Sequence, residues 1–206
     1  MIGNKEYAKE FDKILEKYTE NERIKLWQIL LNLSELYQKQ QEPKDILGEM
    51  YSKIGIYNKQ AGQFFTPTHI SDLMTEIVGI DEEEIKNRGY VTLNEPCVGA
   101  GGMVLSYAKA LQKKGYNPHE NLFVEVCDID MLCTYMTYVQ LSMYDIPAVV
   151  INGDTLTLKQ NIVLYTPQYY RGFWEFRKMF ENLRNDKQNT MEKAIKEEGQ
   201  LNFWDN

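Results

Sequence analysis

Histidine and cysteine are scarce in this chain, which has two histidines and three cysteines among 206 residues. Cys97, Cys127 and Cys133 form no CxxC pair, and His69 and His119 lie far apart in the sequence. A structural zinc site needs a cluster of thiolate or imidazole ligands, and a disulfide framework needs paired cysteines. The sequence therefore predicts neither a metal site nor disulfide bonds.

Positive charge is also in deficit, because 23 Lys and Arg stand against 30 Asp and Glu and leave a net charge of −7. Binding to the phosphates of nucleic acid requires clustered basic side chains. This balance excludes a protein that binds DNA strongly by itself. Contact with DNA would have to use a local basic patch or a partner.

Long apolar runs are missing as well, and no run approaches the length that spans a membrane. The segment 1–6 is polar and lacks the apolar core of a secretory signal. With 43% hydrophobic and 26% charged residues, the composition is that of a folded globular protein. We therefore expect a cytoplasmic protein without membrane contact.

The most informative stretch is Leu93-Asn94-Glu95-Pro96-Cys97-Val98-Gly99-Ala100-Gly101-Gly102. An apolar run at 90–93 enters it and a helical apolar pattern at 103–111 leaves it, which predicts a strand, a glycine-rich turn and a helix. Glycines let the backbone of such a turn approach a ligand closely. No Lys-Ser or Lys-Thr pair follows, so a methionine-like or adenosine-like ligand fits better than a phosphate. The alternative is an ordinary strand-to-helix loop.

Helical patterns precede this stretch. Residues 4–41 carry apolar stripes with a break near Thr19-Glu20-Asn21, and they predict a helical hairpin that either packs on the main domain or docks a partner subunit. Pro43 is expected to open a further helix, 44–56. Thr66 or Thr68 is expected to cap the next helix, whose predicted apolar face consists of Ile70, Leu73, Met74, Ile77 and Val78.

Strand and helix patterns alternate after the glycine-rich turn. Strands are predicted at 121–127, 148–151 and 161–165, with a helix at 130–144 between the first two. This alternation predicts parallel βαβ units in a doubly wound, Rossmann-like α/β sheet. Beyond residue 170 only a charged helix at 173–198 and an apolar tail at 201–204 follow, so the sheet is expected to be incomplete.

Acidic residues stand where two of these strands end. The carboxylate of Asp128 could accept hydrogen bonds from both hydroxyls of a ribose, and the neighbouring Ile129 could cover an adenine face. Asp130 is the expected cap of the next helix. Asp154 could accept a hydrogen bond from an adenine amino group. For Asp128 and Asp154 the alternative is an ordinary turn or cap.

Three motifs occur in order along the chain. They are Gly62-Gln63-Phe64-Phe65-Thr66-Pro67, the glycine-rich segment 95–103, and Gly153-Asp154-Thr155-Leu156. They resemble, in turn, the Gly-Gln-Phe-(Phe/Tyr)-Thr-Pro element, the Asp-Pro-x-x-Gly-(Ser/Thr)-Gly-Gly loop and the Gly-Asp-(Thr/Ser)-Leu motif of one family. That family comprises the methyltransferase (M) subunits of type I restriction-modification systems and related adenine-N6 DNA methyltransferases. The resemblance covers residues 45–170.

The resemblance implies a Rossmann-like fold that uses S-adenosylmethionine. Its expected parts are an N-terminal helical region (1–58), a cofactor-binding domain (59–170) and a C-terminal helical extension (171–206). It also implies that Phe65, Thr66 and Pro67 border the methionine part of the cofactor. The remaining implied contacts are Glu95, Pro96, Gly99 and Gly101 with the amino and carboxylate groups, Asp128 with the ribose, and Ile129 and Asp154 with the adenine.

The family's catalytic element, (Asn/Asp)-Pro-Pro-(Tyr/Phe), follows its fourth strand, where this chain has Thr166-Pro167-Gln168-Tyr169. Pro167 and Tyr169 match the element, whereas Thr166 and Gln168 depart from it. The element accepts hydrogen bonds from the adenine amine and so raises its reactivity. A threonine hydroxyl is a shorter and weaker acceptor, while Tyr169 can stack on a flipped base.

Two hypotheses follow from this departure. In the first, the protein is a DNA adenine methyltransferase that works with a partner, a specificity subunit or another protein subunit, and Thr166 and Pro167 position the amine; the chain could also form a homo-oligomer. In the second, it is a non-catalytic S-adenosylmethionine-binding relative with an interaction or regulatory role, for example from a mobile element. A methyltransferase that acts on a small molecule or on protein is a third alternative.

Overall fold

A four-stranded sheet forms the centre of the protein. The computed structural model describes residues 5–55 and 65–184. The strands lie side by side in chain order, and they are β1 (Val91–Glu95), β2 (Leu122–Asp128), β3 (Ala148–Asp154) and β4 (Lys159–Tyr165). β1 is parallel to β2, and β2 is parallel to β3. The α/β class that the alternating patterns predicted is confirmed.

Helices flank the sheet and precede it. Before β1 come α1 (Lys5–Leu15), α2 (Glu20–Gln38), α3 (Ile46–Ile54), α4 (Thr68–Val78) and α5 (Glu82–Arg88). Between the strands and after β4 come α6 (Gly102–Lys113), α7 (Pro118–Asn121), α8 (Met131–Met143) and α9 (Pro167–Arg171). Residues 174–184 are also helical.

Apolar side chains cover both faces of the sheet. On one face the strands pack against α6 and α8 in a single buried cluster that includes Val91, Val124, Val126, Val150, Val104, Leu105, Leu111 and Leu141. On the other face Tyr90, Phe123, Val149 and Ile151 surround Trp174. The two crossover helices therefore share one face, and the helical segment 174–184 contributes to the other.

β4 differs from its prediction. It runs antiparallel to β3, with Val149 opposite Tyr165 and Asp154 opposite Lys159. Only residues 155–158 connect the two strands, whereas a parallel connection needs a crossover of about a dozen residues or more. The prediction that the fourth strand continues a parallel, doubly wound sheet is therefore wrong, and β3 and β4 form a hairpin.

The N-terminal helices meet the rest of the fold at one end of α2. The predicted break is confirmed, because Thr19 caps α2 in a capping box with Glu22. Tyr37, near the end of α2, is the buried residue of that helix. Most other apolar side chains of α2 are exposed, including Ile29 and Leu31. The hairpin is therefore anchored by its end and does not cover the sheet.

The starts of α3 and α4 and the buried face of α4 differ from their predictions. The helix predicted at 44–56 after Pro43 begins only at Ile46, and Asp45 caps it, since its side chain accepts a hydrogen bond from the third residue of the helix. α4 begins after Pro67 without a side-chain cap, so neither Thr66 nor Thr68 has the predicted role. The predicted apolar face of α4 is exposed, and Ser71 and Thr75 are buried instead. The small side chains of Ser71 and Thr75 let this buried face of α4 approach α6 closely.

Some predictions lie outside the described residues. They concern residues 62–64 of the first motif, the helix beyond residue 184 and the apolar tail at 201–204. In the described part of the chain, no helix is both long and apolar enough to cross a membrane.

Candidate functional site

The carboxyl ends of β1, β2 and β3 lie side by side, because these strands are parallel neighbours. Glu95 at the end of β1 pairs with Val126, and Asp128 at the end of β2 pairs with Asn152. Asp154 is the last residue of β3. The fold thus brings Glu95, Asp128 and Asp154 to one edge of the sheet.

The turn between β1 and α6 is held in a left-handed backbone conformation. Its φ angles are 58° at Gly99 and 98° at Gly101, where an L side chain would be strained. The Val98 N–H donates to the carbonyl oxygen of Cys127 at 3.0 Å. The Thr137 hydroxyl donates to the carbonyl oxygen of Gly99 at 2.8 Å. β2 and α8 therefore fix the turn from two directions.

Asp128 anchors this glycine turn. Its Oδ2 accepts from the N–H of Gly99 and its Oδ1 from the N–H of Asp130, both at 2.8 Å. Burial raises the pKa of the Asp128 carboxyl, and these hydrogen bonds offset part of that effect. Each carboxylate oxygen keeps a second lone pair that could accept from a ribose hydroxyl. The predicted contact with a ribose stays a prediction.

Asn152 supports the segment after β2, a role that the sequence analysis missed. It is buried, and its Nδ2 donates to the carbonyl oxygens of Asp128 and Ile129 at 3.1 Å each. The side chain of Ile129 is left 74% exposed at this edge. An amide at the end of an apolar strand is a usable sequence signal, because a buried amide must find hydrogen-bond partners.

Asp154 closes the turn of the β3–β4 hairpin. Hydrogen bonds from Thr157 and the backbone of Leu156 lower the pKa of its carboxyl, and Oδ1 accepts from the N–H of Leu156 at 2.9 Å. The hydroxyl of Thr155 donates to the carbonyl oxygen of Pro96 at 2.7 Å. The hairpin is thereby tied to the turn that follows β1.

A cavity of about 250 Å³ lies beside the glycine turn. It is lined by Asp45, Phe65, Thr66, Met74, Glu95, Cys97, Val98, Gly99, Ala100, Gly102 and Met103. The ring of Phe65 stands edge to face on Tyr51, with centroids 5.4 Å apart. Pockets for drug-sized ligands have volumes of about 300–1,000 Å³. This cavity therefore suits one part of a nucleoside-containing ligand. Of the predicted cofactor contacts, Pro67, Pro96, Gly101, Asp128, Ile129 and Asp154 do not line it.

Two buried polar side chains, Gln140 and Asp45, connect the cavity to α2, α3 and α8. Neither role was predicted from the sequence. Gln140 of α8 accepts from the hydroxyl of Tyr37 at 2.9 Å and from two backbone N–H groups at the start of α3 at 2.9 and 3.2 Å. Its Nε2 donates to Asp45 Oδ1 at 2.7 Å and to the carbonyl oxygen of Ala100 at 2.6 Å. Burial raises the pKa of the Asp45 carboxyl.

The three predicted catalytic residues lie at the opposite edge of the sheet. Because β4 is antiparallel, its carboxyl end is next to the start of β3, and the Thr166 N–H donates to the carbonyl oxygen of Ala148 at 3.1 Å. The buried hydroxyl of Thr166 donates to the carbonyl oxygen of Ile146 at 2.8 Å and accepts from the N–H of Ala148 at 2.9 Å. Pro167 begins α9, and Tyr169 packs on Phe123 and Tyr165. The structure does not bring these residues to the glycine turn.

Two larger cavities of the described chain lie away from the strand-end acids. A larger cavity of about 490 Å³ lies at the amino edge of the sheet, where Tyr37, Gln112 and Tyr144 are among its lining residues, away from the strand-end acids. Within the described residues, none of the three cysteines forms a disulfide bond. Within residues 5–55 and 65–184, no group of His, Cys, Asp and Glu is arranged to hold a metal ion.

Comparisons with known proteins give one match. The family model described as N-6 DNA methylase matches residues 42–202, which is most of the chain. The matched range includes the Phe65 segment, the glycine turn and all three strand-end acids. Neither the search of curated proteins nor the search of solved structures gave a match.

Proposed function

The chain belongs to the N-6 DNA methylase family, and we propose that it binds S-adenosylmethionine at the carboxyl edge of its sheet, beside the glycine turn. Its function is DNA methyltransferase-like. When bound, the cofactor supplies a methyl group on a sulfonium, and the acceptor that the family implies is adenine in DNA.

The cavity beside the glycine turn carries this proposal. A Cβ added to Gly99 would lie 3.2 Å from the ring of Phe65, and one added to Gly102 would lie 3.0 Å from the Asp45 carboxylate. Glycine at both positions keeps the space between ring and acid open. The described lining combines an aromatic ring, a threonine hydroxyl and two carboxylates, without a basic side chain. Such a lining suits a ligand that carries its own positive charge.

The proposed contacts follow the geometry of this edge. Phe65 and Thr66 border the methionine part, with Pro67 fixing the start of α4 behind them. Glu95 and the glycine turn hold the amino acid end of the cofactor. The adenosine part extends along the strand ends, where Asp128 reaches the ribose and Ile129 and Asp154 reach the adenine.

The target base needs acceptors that the Thr166 element does not supply at this edge. The buried Thr166 hydroxyl donates to the carbonyl oxygen of Ile146 and accepts from the N–H of Ala148, so the backbone holds it at the opposite edge. We propose that the chain alone binds cofactor without transferring methyl groups efficiently. Methyl transfer to adenine would then require a second chain that contributes the groups around the target amine.

A partner is the second part of this proposal. The net charge of −7 disfavours strong binding of DNA by the chain itself. Apolar side chains such as Ile29 and Leu31 of α2, and Ile77 and Val78 of α4, are exposed in the structure. Apolar side chains exposed on a helix offer the kind of surface that protein interfaces cover. A specificity subunit or another protein subunit would cover this surface and supply the DNA contacts, whereas a second copy of the chain would cover only the surface.

The test is a calorimetric titration of S-adenosylmethionine into the purified chain, with Asp128→Ala as the loss variant. Removing Asp128 leaves the N–H groups of Gly99 and Asp130 without their acceptor, so binding should weaken at least about tenfold. Asp145→Asn serves as a control, because Asp145 pairs with Arg171 at the opposite edge. A folded wild-type chain without saturable binding would refute the proposal. A labelled-methyl assay with DNA then separates the catalytic and non-catalytic readings.

Gly99→Ala tests the cavity itself. The substitution should weaken S-adenosylmethionine binding at least about tenfold, because the new methyl group pushes the Phe65 ring into the cavity. The matched control is Gly115→Ala, since Gly115 also has a positive φ of 86° but nothing within 4 Å of its added Cβ. Each variant should lose about 1–2 kcal/mol of folding free energy from backbone strain. Equal affinity of the two variants in calorimetry would contradict the assignment.

The double substitution Thr166→Asn with Gln168→Pro brings the sequence closer to the family's element, but we expect no gain in methyl transfer. Thr166 is buried between backbone groups at the opposite edge, and replacing its hydroxyl, with its two backbone hydrogen bonds, by a longer planar amide should cost about 1–3 kcal/mol of stability. Thermal unfolding and a labelled-methyl assay with DNA measure the two effects. A clear rise in methyl transfer would contradict the antiparallel placement of β4, because residues 166–168 would then have to lie beside the cofactor.

A further inference from the structure

One buried carboxylate at the candidate site, Asp45, has an oxygen to which none of the described residues donates a hydrogen bond. Asp45 is 7% exposed, and its Oδ1 accepts from the N–H of Gly48 at 2.8 Å and from Gln140 Nε2 at 2.7 Å. Within residues 5–55 and 65–184, no group donates a hydrogen bond to Asp45 Oδ2. Asp45 Oδ2 is not among the fully buried side-chain atoms that lack a partner in the described chain, so it keeps contact with the cavity, where a cation or a ligand can reach it.

The open oxygen is at the cavity and close to the first turn of α6. A Cβ added to Gly102 would come within 3.0 Å of Asp45 Oδ2. Asp45 and Glu95 are the charged residues among the described lining, and no basic side chain accompanies them. None of the described lining residues balances the charge of Asp45, whereas an occupant of the cavity that carries a positive charge would.

The amino acid end of S-adenosylmethionine has the matching groups, an α-ammonium and an α-carboxylate. The ammonium offers N–H donors to a carboxylate as charge-assisted hydrogen bonds. The α-carboxylate suits the N–H groups at the start of α6, a helix of 12 residues that begins at Gly102. Asp45 would thus contact the α-ammonium, and the start of α6 would contact the α-carboxylate.

We propose that Asp45 Oδ2 accepts the α-ammonium group of S-adenosylmethionine, an assignment that rests on the proposed cofactor site. It differs from the expectation that Glu95 and the glycine turn alone hold the amino group. Glu95 Oε1 already accepts from the N–H of Cys97 at 3.1 Å. Asp45 lies before α3 and Glu95 ends β1, so the two carboxylates come from different parts of the chain.

Gln140 gives Asp45 a fixed position. The same amide that donates to Asp45 Oδ1 also donates to the carbonyl oxygen of Ala100 in the glycine turn. The acid and the turn are therefore held by one buried side chain before a ligand arrives. Such preorganisation reduces the ordering cost of binding.

Asp45→Asn isolates the open oxygen. Two donors, the Gly48 N–H and Gln140 Nε2, converge on Oδ1, so the asparagine carbonyl must take that position and its amide nitrogen replaces Oδ2. The variant keeps both existing hydrogen bonds and the shape of the side chain. Only the acceptor that faces the cavity changes, into a donor that repels an ammonium.

The experiment measures the preference for an ammonium group. S-adenosylhomocysteine and its deamino analogue, which lacks only the α-amino group, are titrated calorimetrically into the wild-type chain, Asp45→Asn and Asp145→Asn. The wild-type chain should prefer S-adenosylhomocysteine by about tenfold or more, the effect of one charge-assisted hydrogen bond. Asp145→Asn should keep that preference, and Asp45→Asn should lose it.

Each contrary result has a distinct meaning. An unchanged preference in Asp45→Asn overturns the assignment, and so does an equal loss of affinity for both ligands, which would mark Asp45 as a structural cap only. A wild-type chain that is folded but binds neither ligand refutes the cofactor site itself, and with it the assignment that rests on that site. Preserved binding of the deamino analogue in Asp45→Asn shows that the cavity is intact.

Discussion

Replacing Gln140 with leucine is expected to lower the free energy of unfolding by about 3–5 kcal/mol. Gln140 is fully buried, and its amide accepts three hydrogen bonds and donates two. Leucine fills a similar volume but leaves these groups of α2, α3 and the glycine turn without partners. Each buried donor or acceptor left unsatisfied costs about 1–3 kcal/mol, although relaxation recovers part of the sum. Chemical denaturation followed by circular dichroism measures the loss.

Two controls separate the stability that the hydrogen bonds of Gln140 contribute from the effect of replacing any glutamine with leucine. Gln112→Leu removes an exposed glutamine whose single hydrogen bond reaches the Gln41 carbonyl at 3.4 Å, and it should change stability by about 0.5 kcal/mol or less. Tyr37→Phe removes one of the five hydrogen bonds and should cost about 1 kcal/mol. A Gln140→Leu variant as stable as Gln112→Leu would show that the network contributes nothing.

The glycine turn and the strand-end acids were predictable because each has a local signal. A turn that needs positive φ demands glycine, and Gly99 and Gly101 adopt it. Acids that follow apolar strands mark strand ends, and the parallel pairing of β1, β2 and β3 brings them together. Asp130 caps α8 as the pattern predicted. These signals depend only on neighbours in the sequence.

The roles of Gln140 and Asp45 have no such local signal. A glutamine within a helix usually indicates a solvent-facing position, and an acid before a helix indicates a cap. Gln140 is buried because its partners are far away in the sequence, up to 103 residues distant at Tyr37. Only the tertiary fold shows that Asp45 both caps α3 and borders the cavity.

The orientation of β4 and the packed face of α4 were mispredicted for different reasons. The orientation could have been inferred, because even the interval between the predicted strands at 148–151 and 161–165 is shorter than a crossover connection allows. The face of α4 could not, because periodicity locates an apolar stripe without showing what covers it. Ser71 and Thr75 pack inward because small residues permit close approach to α6.

Trp174→Ala is expected to cost about 3–5 kcal/mol of stability without a specific loss of cofactor affinity. Trp174 is fully buried between Tyr90, at 4.8 Å between ring centroids, and Phe123, at 5.3 Å. These rings stand near the amino ends of β1 and β2, away from the strand-end acids. The variant should therefore loosen the segment 174–184 and leave the glycine turn intact. Chemical denaturation and calorimetry at low temperature measure both quantities.

The comparison with Phe176→Ala and Trp174→Phe tests this account of the buried ring. Phe176 is exposed, so its removal should cost about 0.5 kcal/mol or less. Trp174→Phe should cost only about 1–2 kcal/mol, because no described residue accepts a hydrogen bond from the indole N–H and little beyond volume is lost. One result would contradict this account: the folded Trp174→Ala protein loses cofactor affinity, while Gln140→Leu keeps it. The cofactor site would then depend on the sheet face around Trp174 and not on the hydrogen bonds of Gln140. The assignment of the site to the carboxyl edge would then be wrong.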